Sequence, residues 1–265
     1  MVRHAEHVMG TVFSFDLRDQ LDDGVLTDCV DWLHWVDATF STYRDDSDIS
    51  RLGRGEARLT ECAPEVAQVL DLCAEATRRT DGYFSAMPTG QLDPSGLVKG
   101  WAIEEVGNRL VAAGSRCHSV GGGGDVAVMG QPEPGLPWRI GVVAPGDAAS
   151  IATVVSIRDA GVATSGTAER GAHVVNPLTG RPATELASLT VVGPSLMWAD
   201  VFATAGLARG MAARGWLDAL DGYEAFAIAA DGSAWWTQGF AAYGEVPHSG
   251  FTGKDQGRLS KLTES

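Results

Sequence analysis

The sequence predicts an α+β fold, in which helices flank mixed and antiparallel sheets, on two observations. Within the first 115 residues, apolar side chains recur at helical spacing in three segments. From Val120 onward, short β-rich runs alternate with turns of glycine, proline and aspartate. We therefore expect one domain over residues 1–247, or two intimately packed halves of about 1–115 and 116–247, followed by a polar tail at 248–265.

The elements of the first part follow in chain order. The opening stretch, MVRHAEHVMGTVFSFDL, alternates apolar and polar residues as a strand does. Helical spacing of apolar residues predicts a first helix over Leu26–Phe40. A second helix is predicted to begin at Pro64, a residue suited to a first turn, and to stop at Gly82. A third is expected after the DPSG motif and runs to Gly114.

The second part is predicted to be rich in strands, with one helix near its end. Runs such as WRIGVVAP and LASLTVVGP are short, apolar and bounded by turn residues. The spacing over Trp198–Leu220 predicts a helix. The stretch EAFAIAADGSAWWTQGF predicts a hairpin that turns at Asp231–Gly232.

Composition narrows the class of partner and the compartment. The chain has 34 acidic and 20 basic residues, a net charge of -14 and a pI near 4.7, which argues against nucleic acid as a partner because Lys and Arg supply most of that affinity. No stretch is long and apolar enough to span a membrane. The four cysteines lack C-x-x-C spacing, so we expect free thiols. No leader is visible, so we expect a cytoplasmic protein as given, or a periplasmic or other extracytoplasmic one if a leader was trimmed.

Two oxygen-bearing side chains on the predicted C-terminal helix form the first candidate site. Asp200 and Thr204 are four residues apart, so they project from one face of that helix. A carboxylate, a hydroxyl and a nearby backbone carbonyl are the hard oxygen donors that Mg2+ accepts. The alternative is that Asp200 stabilises the helix dipole and that Thr204 bonds back to its own helix.

The start of the third helix forms the second candidate. Asp93 lies in a turn, Ser95 is expected to cap the helix, and Lys99 falls in the first turns, where the helix dipole does not favour a cation. This placement of Lys99 suggests an anionic ligand near the helix start, and an exposed, solvated lysine is the alternative.

Two loops are weaker candidates. The run Gly121–Gly124, followed by Asp125, would let the backbone approach a ligand closely, but it lacks the phosphate-loop frames, and a tight turn between strands is favoured. In FSTYRDDSDISRL, Tyr43 precedes a charged, turn-rich loop. Its ring could stack on a flat ligand or pack as a surface tyrosine.

The stretch VATSGTAERGAHVVNPLTGRP brings hydroxyls and an imidazole close together in sequence. Thr164 and Ser165 can offer hydroxyls and amides to a ligand. His173 starts a short strand that Asn176–Pro177 ends, which would leave its ring at a sheet edge or a cleft mouth. A purely structural role is the alternative for this lone histidine.

In combination, motifs in register from about Met9 to about Gly210 resemble the FAD:protein FMN transferase family, also called ApbE. They are VMGTVFSF, FSTYRDDSDISRL, TDGYFSAMPTG, LDPSGLVKGWAIEEV, GGGGDVAVMG, GVATSGTAERGAHVVNPLTGRP and WADVFATAGLARG. The resemblance implies an ApbE-like, T-fold-related architecture. It also implies a Mg2+-dependent enzyme that cleaves FAD, attaches FMN through a phosphoester to a Thr or Ser of an acceptor flavoprotein, and releases AMP.

The resemblance also assigns roles to residues. It implies metal ligation by Asp200, Thr204 and the backbone carbonyl of Gly96. It implies that His173 takes the acceptor hydroxyl proton and that Lys99 steadies the pyrophosphate. The implied contacts with FAD are Met9, Tyr43, Tyr83, Phe84, Ser85, Asp93, Lys99 and His173, and the hydroxyls of Thr164 and Ser165 belong to the same wall of the site.

Three departures from the family pattern bear on these roles. Asn176 stands where the family usually has Asp, Ala203 stands where some members have a further metal-side Asp, and YFSAMPTG replaces a commoner FDPTVGPL. The second departure leaves fewer protein ligands for a metal. Two alternative functions use the same site: a Mg2+-dependent FAD pyrophosphatase with water as acceptor, and a flavin-binding protein without turnover.

Overall fold

Twelve strands form the β-structure of the computed structural model, which describes residues 1–166 and 174–245. In chain order they are β1 (Val2–Val8), β2 (Thr11–Leu17), β3 (His118–Gly122), β4 (Asp125–Met129), β5 (Trp138–Ala144), β6 (Asp147–Ile157), β7 (Ala160–Gly166), β8 (Val175–Asn176), β9 (Arg181–Pro182), β10 (Leu186–Gly193), β11 (Glu224–Ala229) and β12 (Ala234–Trp236). Eight of them form one sheet in the order β1-β2-β3-β4-β7-β10-β11-β12, and β5-β6 and β8-β9 form separate two-stranded sheets. Every pairing among the described strands is antiparallel.

Six α-helices accompany the sheets in the described residues. They are α1 (Val25–Phe40), α2 (Asp48–Gly53), α3 (Pro64–Arg79), α4 (Ser95–Ala112), α5 (Leu196–Arg209) and α6 (Ala213–Leu217). The α+β prediction is therefore confirmed, and α1, α3 and α4 agree with the predicted helices to within two residues at most ends. Pro64 is the first residue of α3, and the predicted hairpin at Asp231–Gly232 joins β11 to β12.

Three local predictions need correction. Ser95 does not cap α4: Pro94 holds that position, and the Asp93 carboxylate accepts the N–H of Ser95 at 3.0 Å. The loop predicted after Tyr43 contains the short helix α2, which begins where the Ser47 hydroxyl accepts the N–H of Ser50 at 3.1 Å.

The predicted helix over Trp198–Leu220 is two helices joined by a 3-10 turn. The break lies at Gly210, whose φ of +70° does not continue an α-helix. The Glu185 carboxylate accepts the N–H of Met211 at 2.8 Å, which satisfies a donor that the break exposes.

Alternating residues of the large sheet serve two different cores. On one face Ala163, Val191 and Ala227 pack in a cluster with the helices α1, α3, α4 and α5. On the other face Val162 and Phe226 pack with the β5-β6 hairpin. This period-2 pattern explains why the strand runs are almost continuously apolar, because both faces of the sheet are buried.

Two connections position the candidate site. Gly123 and Gly124 form the two-residue turn between β3 and β4, with φ values of +56° and +86°, so the tight turn expected for the glycine run is confirmed. In addition, β2 from the first part of the chain pairs directly with β3 from the second part.

Other expectations from composition can be compared with the described residues. The four cysteines are free thiols, as expected. Across residues 1–166 and 174–245, no helix has both the length and the apolar character needed to cross a bilayer.

Candidate functional site

Helices α4 and α5 pack so closely at Gly100 that a larger residue there would have to displace its neighbours. A Cβ on Gly100 would lie 3.0 Å from the Cβ of Asp200 and 3.1 Å from the Cα of Met197. The Glu104 carboxylate of α4 accepts the Ser195 hydroxyl at 2.7 Å and the Met197 N–H at 3.0 Å. These contacts fix the start of α5 on α4, and they hold Asp200, which is 3% exposed, against the neighbouring helix.

The Lys99 ammonium lies between two buried carboxylates. It donates a hydrogen bond to Asp125 Oδ2, and its Nζ lies 3.6 Å from Asp200 Oδ2. About a quarter of the Lys99 side chain is exposed, whereas Asp125 is fully buried. From the sequence we expected Lys99 to bind an anionic ligand or to be exposed to solvent. In the structure its partners include two carboxylates of the chain itself.

The electrostatics of this group are unusual because two carboxylates face one ammonium. Burial raises the pKa of Asp200, the charge of Asp125 raises it further, and Lys99 opposes both effects. Burial also raises the pKa of Asp125, against the opposing charge of Lys99 and a hydrogen bond from the Thr164 backbone. A buried carboxylate without enough positive partners favours a bound cation.

Strand β7 supplies the hydroxyl side of the site. The Thr164 N–H donates to Asp125 Oδ1 at 3.1 Å, and the Thr164 hydroxyl bonds to that of Thr190 at 2.8 Å. The next residue, Ser165, bonds through its hydroxyl to the Thr204 hydroxyl at 3.1 Å. Thr204 therefore faces β7 and does not bond back to its own helix.

The residues predicted to hold a metal are brought together. A Cβ on Gly96 would lie 3.9 Å from Cγ2 of Thr204, so the backbone of α4 at Gly96 approaches the Thr204 side chain. Asp200, one turn earlier on α5, keeps a buried Oδ2 that makes no hydrogen bond. A carboxylate oxygen without a hydrogen bond, a hydroxyl and a nearby backbone suit a hard cation such as Mg2+.

The donor set is nevertheless small. Within the described residues no three His, Cys, Asp or Glu side chains are grouped so as to hold a metal. Ala203, which replaces an aspartate of some family members, is fully buried in α5 and adds no ligand. A cation here would therefore depend on the Thr204 hydroxyl and a backbone carbonyl as well as on Asp200.

The segment after α3 forms a wall beside this group. Phe84 is 2% exposed, and its Cε2 would lie 3.3 Å from a Cβ on Gly96. The ring of Tyr83 lies under the Arg209 guanidinium, 4.9 Å from centroid to carbon, and the Ser85 hydroxyl accepts the Met87 N–H at 2.9 Å. Phe84 therefore packs beside Gly96, one of the residues proposed for the metal.

The remaining predicted site residues are more dispersed. Met9 occupies the β1-β2 turn with a φ of +52°, partly buried against the helical core. Tyr43, between α1 and α2, is 94% exposed. The Asp93 carboxylate is used at the start of α4, and His173 lies outside the described residues.

Asn176 has a structural reason to replace aspartate. Its side-chain amide donates to the carbonyl of Ala208 at 3.1 Å, and its Oδ1 accepts the Leu178 N–H at 2.9 Å. An ionised aspartate could not donate the first of these bonds. The amide therefore ties the turn after β8 to the end of α5.

Sequence reasoning named Asp125 only as the residue after the glycine run and missed its carboxylate as part of the site. The signal was present, since a charged residue follows four glycines and directly opens the apolar strand DVAVM. An aspartate at the first position of a buried strand predicts a buried carboxylate that needs partners.

A comparison with models of protein families shows which family the chain belongs to. The model of the ApbE family matches residues 9–89 and 85–227. The chain belongs to the ApbE family. Two ApbE structures have the same fold: that from Vibrio cholerae, with a TM-score of 0.80, 21% identity and coverage of 91% of this chain and 98% of that one; and that from Thermotoga maritima, with a TM-score of 0.81, 19% identity and coverage of 92% and 99%.

Sequence relatives in the ApbE family bear the name FAD:protein FMN transferase. The protein of that name from Vibrio cholerae is 34% identical over 140 residues, which cover 48% of this chain and 42% of that protein. The one from Escherichia coli K12 is 31% identical over 128 residues, which cover 44% of this chain and 36% of that protein. The aligned region thus spans less than half the length of these curated relatives.

Proposed function

We propose that this ApbE protein is a Mg2+-dependent FAD:protein FMN transferase. It would cleave the pyrophosphate of FAD, join FMN through a phosphoester to a Thr or Ser of an acceptor flavoprotein, and release AMP. One observation carries the proposal: Asp200, Thr204 and the backbone at Gly96 lie close together, next to the Lys99 ammonium. The names of its relatives support the same reaction.

Asp200, Thr204 and the Gly96 carbonyl are the residues that would hold Mg2+. Bound there, the cation would supply neutralisation of the charge on the pyrophosphate oxygens. The buried, unbonded Oδ2 of Asp200 is the feature that fits this role best.

The other residues bind, orient and move a proton. In the proposed reaction the acceptor oxygen bonds to the FMN phosphorus, the bond from that phosphorus to the bridging oxygen breaks, and the bridging oxygen leaves with AMP. Lys99 donates to pyrophosphate oxygens as negative charge develops there. His173 accepts the proton of the acceptor hydroxyl, a role that the family resemblance supports.

The flavin would be contacted by residues around this centre. We place Phe84, Tyr83 and Ser85 along one wall, Met9 and Asp93 at its ends, and Thr164 and Ser165 beside the phosphates. The exposed ring of Tyr43 is available to cover the flavin and exclude water from the reacting phosphorus.

The proposed function is tested by incubating the protein with FAD, MgCl2 and a flavin-accepting domain. The expected result is a gain in the domain's mass equal to FMN less one water, together with one AMP for each FMN attached. A matched domain whose target Thr is replaced by Val should gain no mass. AMP and free FMN in equal amounts, with no mass gain on either domain, would instead identify a pyrophosphatase.

A further inference from the structure

Asp125 is a buried carboxylate to which the proposed reaction assigns no task. It is the first residue of β4, directly after the two-glycine turn, and it is fully buried. A buried carboxylate is costly unless it is paired and hydrogen-bonded. Its two oxygens have separate partners, because Oδ2 accepts from the Lys99 ammonium and Oδ1 accepts from the Thr164 N–H at 3.1 Å.

The first partner is the Lys99 ammonium, which Asp125 Oδ2 binds directly. A lysine side chain loses rotamer entropy when it is fixed in one position. The Lys99 stem lies against the turn that precedes Asp125, since its Cδ is 3.4 Å from the position of a Cβ on Gly123. The turn and the carboxylate together hold the ammonium in place before any ligand binds.

The second partner is the Thr164 N–H, and its bond to Asp125 fixes the end of strand β7. The β4-β7 ladder runs from Val128↔Ala160 to Val126↔Val162, and its register would set Gly124 opposite Thr164. Gly124 belongs to the turn, so the Asp125 carboxylate takes the place of a strand carbonyl as the acceptor for the Thr164 N–H. The next residue is Ser165, whose hydroxyl bonds to Thr204.

We propose that Asp125 is a positioning residue that holds the Lys99 ammonium and the Ser165 end of β7 in one fixed arrangement. The inference rests on the proposed function, in which Lys99 meets the pyrophosphate of FAD beside Thr204. Placing the charge in advance lowers the barrier, because no reorganisation of the site is needed as the reaction proceeds. Asp125 itself does not touch FAD in this proposal and acts through Lys99.

A double-mutant cycle tests this coupling in the full chain. Asp125→Asn keeps an oxygen that can accept the Thr164 N–H but removes the charge that holds Lys99. We expect Asp125→Asn to lower kcat/KM for FAD by about 10- to 100-fold, as small displacements at such sites do. In a Lys99→Met background the same change should cost no more than about twofold. A full loss in both backgrounds would overturn the proposal.

Asp19→Asn is the matched control for lost stability. Asp19 is also a carboxylate that accepts backbone N–H groups, from Arg116 and Cys117, and it lies outside the proposed machinery. The Asp19→Asn variant should have a lower Tm than the wild type and an unchanged kcat/KM for FAD. A fall in kcat/KM equal to that of Asp125→Asn would show that destabilisation alone explains the effect.

A second readout needs neither FAD nor turnover. Lys99 precedes the only two other lysines, Lys254 and Lys261, so its acetylation by a limiting amine reagent can be followed in a separate peptide by mass spectrometry. Asp125→Asn should increase Lys99 labelling severalfold relative to the other two lysines, and Asp19→Asn should not.

The labelling result also separates the two proposals. A wild-type protein that transfers no FMN overturns the proposed function, while labelling still decides whether Asp125 holds Lys99. Unchanged Lys99 labelling in Asp125→Asn, combined with a higher Mg2+ requirement, would show that Asp125 serves the metal and would overturn the positioning role.

Discussion

Asp19 and Asp125 are two aspartates that bind backbone N–H groups of a neighbouring segment in very different surroundings. Asp19 Oδ2 accepts the N–H groups of Arg116 and Cys117, each at 2.7 Å, and the Ser115 hydroxyl at 3.1 Å. Burial alone would raise the pKa of Asp19, but these hydrogen bonds outweigh it, so the pKa lies below its ordinary value. For Asp125, full burial dominates and the pKa is raised.

The difference separates a carboxylate whose charge is satisfied by hydrogen bonds from one whose burial is only partly compensated. Asp19 has donors for its charge and is only partly buried. Asp125 has one backbone donor and shares the single ammonium of Lys99 with Asp200. In the second region two carboxyl groups share one ammonium, burial raises the pKa of both, and a bound cation would favour their ionised forms.

The largest effect is expected from removing Asp200, the carboxylate that faces Lys99 together with Asp125. Asp200→Ala should lower turnover by at least about 1,000-fold and weaken Mg2+ binding, because several kcal/mol of charge stabilisation depends on the cation. AMP release at varied MgCl2 measures the first effect and calorimetry the second. Asp19→Asn is the control and should keep the wild-type rate. A near-normal rate of Asp200→Ala without added metal would contradict the metal assignment.

The next largest effect concerns proton transfer, which our proposal assigns to His173 and not to Asp19 or Asp125. His173→Ala should lower kcat by about 100- to 10,000-fold, the range typical of general-base assistance. The Kd for FAD, measured by flavin fluorescence, should change far less, because Lys99 and the metal residues remain. Normal kcat at saturation with greatly weakened FAD binding would make the imidazole a binding group instead.

A smaller effect is expected in the Asp19 region, on stability alone. Asp19→Ala removes the acceptor of two backbone N–H groups and one hydroxyl, which should lower the free energy of unfolding by about 1–2 kcal/mol because the donors are partly solvated. Urea unfolding measures this loss. Turnover per folded molecule should equal that of the wild type, and a large fall in turnover would remove the distinction between the two regions.

The smallest effect is a pH dependence beside Asp19. Burial lowers the pKa of His118 below 6.5, although the charge of Asp19 opposes this shift. The unfolded chain therefore binds this proton at a higher pH than the folded protein, so stability falls as the pH drops below about 6.5 and through the folded pKa. Thermal unfolding from pH 7.5 to 5 should show a steeper loss of Tm for the wild type than for His118→Gln. Equal slopes would assign the loss to other groups.

Much of the fold could be predicted because its signals are local. The helix α1 follows from apolar spacing, α3 from Pro64 at its first position, and the last hairpin from Asp231–Gly232. Asp200 and Thr204 could be paired because four residues on a helix always share a face.

The features that escaped prediction depend on distant partners. Lys99 and Thr164 bind Asp125 from 26 and 39 residues away in the chain, so no local pattern reveals that its carboxylate is enclosed. The break of the last helix at Gly210 depends likewise on Glu185, which lies in the bend just before β10, 26 residues before Met211 in the chain. The six-residue helix α2 is too short for periodicity to reveal.

The pairing of β2 with β3 has a consequence for how this chain folds during its synthesis. Leu17 lies opposite His118, so one edge of the first hairpin stays unpaired until roughly a hundred more residues have been synthesised. At bacterial or eukaryotic elongation rates that wait lasts about 5 to 20 s. During this interval the nascent hairpin presents unpaired backbone groups, and α1, α3 and α4 emerge before the sheet that they cover. Productive folding on the ribosome therefore depends on keeping that edge from pairing with other chains until residue 122 has left the exit tunnel.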